Sequence, residues 1–105
     1  MNNRKHAGRF DDFINLGNSA SREDVDALMT ALVTKNDIAT SKLVDYALSL
    51  VDTREGLERL RYYLFHGLQV QRNFAALHFK RRGNLAILHQ AVAQGKIDHQ
   101  QAFSK

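Results

Sequence analysis

The residues best equipped to do chemistry lie between Arg59 and Arg82. Six basic side chains, Arg59, Arg61, Arg72, Lys80, Arg81 and Arg82, are interleaved with Tyr62, Tyr63, Phe65, Phe74 and Phe79. Cationic side chains neutralise phosphates and exposed rings stack on bases, so the pattern fits a small basic nucleic-acid-binding protein. The same residues also have a purely architectural explanation. Leu57, Leu60, Leu64, Phe74 and Leu77 keep helical core spacing, and Lys80-Arg81-Arg82 complements the negative end of a helix dipole. No known nucleic-acid recognition motif accompanies the charge. Exposure of Tyr62, Tyr63, Phe65 and Phe74 in a basic groove favours nucleic acid; their burial makes them core.

The other reactive residue types assemble into less. His66, His78 and His89 are separated by 12 and 11 residues, and no histidine pair stands at i,i+4, the spacing that puts two imidazoles on one helix face. The chain has no cysteine, which excludes disulfides, cysteine-based zinc sites and a thiol nucleophile. The carboxylates sit mainly at helix starts, where capping and dipole effects account for them. Asp11 and Asp12 are adjacent and diverge by about 100° on a helix. The glycines end helices and form no phosphate-cradling loop. No catalytic, cofactor-binding or metal-binding residue is assigned, and the protein is read as a non-enzyme.

Charge is distributed unevenly along a chain of net charge +4. Residues 21–53 carry three basic and six acidic side chains, whereas residues 54–82 carry seven basic and two acidic ones. Such polarity suits an acidic partner, or pairs one copy of the chain with another.

Helices must position these side chains. There is no proline in the 105 residues, which permits uninterrupted helices. Residues 1–9 read as a loose, solvated start. Phe10, Phe13, Ile14 and Leu16 give a short helix that Gly17-Asn18 ends. Ser21 caps the next helix, in which Val25, Leu28, Met29, Leu32 and Val33 form a buried stripe. Lys35-Asn36-Asp37 stops it. From Ile38 or Thr40 to Val51, Leu43, Val44, Ala47 and Leu48 repeat the spacing. Tyr46 and Leu50 widen that arc, as in a helix packed on two sides. Thr53 caps a further helix in which Glu55 and Arg59 are i,i+4 partners. At Gly67 two readings stay open: a helix end, or an interior position in one helix from 53 to 82. Val70, Phe74, Leu77 and Arg81 mark one face of the segment from about 69 to 82, Ala75, Ala76 and Phe79 fill the adjoining arc, and Gly83 closes it. Leu85, Leu88, Ala91 and Val92 face inward in the next helix, which Gly95 ends, and Ile97 to Phe103 adds a turn or two. The expected core includes Leu28, Leu32, Leu43, Leu48, Leu60, Leu64, Leu77 and Leu88.

Within residues 76–95, Ala76, Phe79 and Gly83 resemble the small, aromatic and turn positions of a tetratricopeptide repeat, in a helical-hairpin stack of the tetratricopeptide or HEAT kind. The chain departs from that pattern where Leu88 takes the place of a small residue and where the closing proline is missing. The resemblance implies a protein-binding scaffold and carries no catalytic residues.

The sequence therefore reads as all-α: one domain over 1–105, with five to six short helices packed as antiparallel hairpins around one core. No apolar run reaches the roughly 20 residues that cross a bilayer, and the basic start leads into Phe10-Asp11-Asp12 without an apolar stretch, so no membrane partner is expected and the location is read as cytoplasmic. The leading functional expectation is a protein-interaction module that binds a protein partner or itself. Nucleic-acid binding through residues 59–82 is second, with Arg59, Arg61, Tyr62, Arg72, Lys80, Arg81 and Arg82 as the candidate surface. An enzyme of unassigned type is third.

Overall fold

The computed structural model describes residues 4–35 and 37–103, with side chains described from Phe10 onward. Among the described residues seven helices form: α1 (Arg4–Ser19), α2 (Arg22–Thr34), α3 (Ile38–Ser49), α4 (Arg54–His66), α5 (Gln69–Arg81), α6 (Leu85–Ala93) and α7 (His99–Phe103). No strand occurs among the described residues. The count exceeds the expected five to six because, within the segment Ile97 to Phe103, residues His99–Phe103 fold into a separate helix beyond the turn at Gly95. Part of the expected loose start, Arg4–Arg9, is helical in α1, while residues 1–3 and Asn36 lie outside the described residues.

Side chains set the helix starts by accepting from otherwise unpaired backbone N–H groups. The Ser21 hydroxyl accepts from Asp24 N at 3.1 Å to open α2, and Asp37 Oδ1 accepts from Thr40 N at 2.7 Å to open α3. Thr53 Oγ1 accepts from Gly56 N at 2.9 Å to open α4. At α7 the cap is reciprocal: Gln101 N donates to Asp98 Oδ1 at 2.7 Å, and Asp98 N donates to Gln101 Oε1 at 3.1 Å.

The ends of α5 and α6 are built alike. Asn84 N donates to Phe79 O and Gly83 N to Lys80 O; Lys96 N donates to Ala91 O and Gly95 N to Val92 O. Both are Schellman closures, and both need a residue in the left-handed region, supplied by Gly83 at φ 71° and Gly95 at φ 73°. Gly67 differs. It separates α4 from α5, which settles the segment 53–82 as two helices, but it does so by lack of bulk: a Cβ there would lie 2.7 Å from Tyr63 O.

The chain divides into two compact units, with the boundary inside α4 between Arg59 and Leu60. In the first unit α1, α2 and α3 each touch the other two. Val25, Leu28, Met29, Val44, Ala47 and Val51 are completely buried. Gly17 does not end α1 as expected. It is a buried interior residue set against α3, where a Cβ would lie 2.9 Å from the Ala47 carbonyl carbon and closer still to its oxygen. Helix α1 therefore continues to Ser19, and the chain turns at Ala20, whose φ is 46°.

In the second unit α5, α6 and α7 each touch the other two. Leu60, Leu64, Ala75, Leu88 and Ala91 are fully buried. The buried face of α5 is rotated by one residue from the expected face. Gln71, Ala75, His78 and Phe79 are buried, whereas Val70, Phe74 and Leu77 are half-buried and Arg81 is exposed. The rotation places small Ala75 and Ala76 inside, which lets helices approach closely, and draws in Gln71, whose Oε1 accepts from Leu68 N at 2.8 Å. Of the eight expected core leucines, Leu43 and Leu77 are only half-buried.

Candidate interaction surface

Arg59, Arg72 and Lys80 make hydrogen bonds inside their own unit. In the first unit, Arg59 of α4 grips Asp26 of α2, with Nε 2.6 Å from Oδ1 and Nη2 3.3 Å from Oδ2. The fork geometry of guanidinium matches a carboxylate, and partial burial shields the pair from screening. The Glu55 carboxylate, the expected i,i+4 partner of Arg59, accepts from Arg22 N at 3.0 Å and so supports the start of α2. The exposed i,i+4 ion pair on α4 joins Arg54 to Glu58 at 3.5 Å.

In the second unit, Arg72 bridges two backbone carbonyls. Its Nε donates to Lys96 O at 2.7 Å and its Nη1 to Gly67 O at 2.9 Å. It thereby ties the turn before α5 to the turn after α6. Lys80 Nζ donates to Gln101 O at 3.2 Å, and the Gln101 side-chain amide bonds Asn73 Oδ1, so α5 holds α7 by polar contacts.

Arg61, Tyr62, Arg81 and Arg82 are exposed. Arg61 and Tyr62 lie on α4 near His66. The Arg61 guanidinium sits 5.4 Å from the Phe65 ring centroid, and Tyr62 packs edge-on against Tyr63 and 5.1 Å from the His66 ring. Tyr63 and Phe65 are buried and Phe74 half-buried, whereas Tyr62 is 44% exposed. The aromatic part of the basic segment is thus mostly core. Arg81 and Arg82 fall at the C-terminal end of α5, the place a helix dipole favours for cations.

An exposed aromatic pair lies elsewhere. Phe10 of α1 and Tyr46 of α3 stack at 6.4 Å between centroids and 14° between planes, and remain 53% and 52% exposed. Ile38 is exposed on α3 and Val33 on α2. Tyr46 and Val33 were expected inside. Val33 follows fully used core positions on α2, and α3 buries a narrower stripe of Thr40, Val44, Ala47 and Leu48. A Tyr46 that continues the apolar arc is the signal a sequence could offer, and it reads equally as core.

The histidines with described side chains differ in their surroundings. His66 is exposed on α4, His78 is buried edge-on to Phe79, and His89 and His99 pack on the Phe103 ring at 4.5 and 4.9 Å. Among the described residues no group of three or more histidine or acidic side chains could hold a metal ion. No helix among them is long and apolar enough to cross a membrane. No protein-family model, curated protein or solved structure shows significant similarity to this chain.

Proposed function

We propose that this chain is a non-enzymatic protein-interaction module of the cytoplasm, built from antiparallel helical hairpins, whose first partner to test is a second copy of itself. The observation that carries the reading is the half-exposed Phe10–Tyr46 stack on α1 and α3. Two large rings held parallel and left in water form an apolar contact surface already ordered before a partner arrives, which lowers the entropic cost of binding. The charge difference between residues 21–53 and 54–82 supports pairing between copies. The internal engagement of Arg59, Arg72 and Lys80 weakens the case for nucleic acid, because it leaves fewer cations for phosphates.

Sedimentation across a range of concentrations tests this reading. The native chain is expected to form a dimer that salt weakens only modestly, and the double variant Phe10→Ser, Tyr46→Ser to remain monomeric with unchanged helical circular dichroism. A native chain that stays monomeric throughout would overturn self-association. Charge reversal belongs at Arg61, since reversal at Arg59 or Arg72 would break contacts within a unit. A second reading rests on the Arg61–Tyr62–His66 strip of α4, which presents a cation and a ring at the surface. Binding of single-stranded RNA or DNA at physiological salt, lost in Arg61→Glu, would favour it over the first.

A further inference from the structure

We draw no further inference here: the strongest candidate, the cluster in which the His89 and His99 imidazoles pack on the Phe103 ring of α6 and α7, gathers no third ligating side chain among the described residues, and nothing in the structure shows what it would hold.

Discussion

The Arg59 guanidinium reaches Asp26, 33 residues earlier in the chain, through both Nε and Nη2, and the two side chains are only 19% and 35% exposed. A two-point hydrogen-bonded pair at this depth differs from a surface ion pair such as Arg54–Glu58, whose members are 92% and 70% exposed. Arg59→Ala is expected to cost about 1–3 kcal/mol in urea unfolding, and Arg54→Ala less than about 0.5 kcal/mol. A double-mutant cycle on Asp26 and Arg59 should show coupling. Equal effects at Arg54 and Arg59 would contradict the geometry.

Gly17→Ala tests the approach of α1 to α3. At an open helix site this change gains up to about 1 kcal/mol. Here the new Cβ meets the backbone of Ala47, which cannot rotate aside. The expected result is a loss of about 1–3 kcal/mol, read as a lower urea midpoint. A gain would mean that the two helices stand further apart.

Arg72→Lys isolates the bridge in the second unit. A lysine keeps the charge and has no planar fork to span Gly67 O and Lys96 O. Loss of stability on the order of 2 kcal/mol is expected. Hydrogen exchange should quicken first at amides near Lys96. An unchanged midpoint would show that the charge alone suffices.

Helix α4 belongs to both units, since the boundary falls between Arg59 and Leu60. Melting either unit removes the packing of half of this helix. A single thermal transition is therefore expected, with calorimetric and van't Hoff enthalpies in agreement. Two resolved transitions would overturn the one-domain expectation drawn from chain length.

Helix positions were largely legible in the sequence because they depend on local chemistry. Ser21 and Thr53 cap where their types suggest, Asp37, read as part of a helix stop, caps α3, and Gly83 and Gly95 close helices with the left-handed conformation that glycine favours. What periodicity could not supply was the rotation of a face. Val70–Phe74–Leu77 and Gln71–Ala75–His78 both follow helical spacing, and only a neighbour's shape decides between them. The same limit applies to Gly17, where a helix end and a close helix crossing call for the same residue. Among the candidate cations, Arg59 and Arg72 look like surface charges until the fold brings Asp26 and Lys96 O within reach.

The joint between α1 and α2 depends on residues that emerge much later. Ala20 is held at φ 46°, a region costly for a residue with a Cβ, and its carbonyl accepts from Thr53 Oγ1 at 2.9 Å. Two residues on, Arg22 N donates to Glu55 at 3.0 Å. A growing chain that has reached only Asp52 carries all of α1, α2 and α3 and can form the Ala20 N to Leu16 O bond and the Ser21 cap, yet this joint still lacks both bonds from beyond residue 52. The Thr53–Glu55 turn thus acts as a late fastener during synthesis.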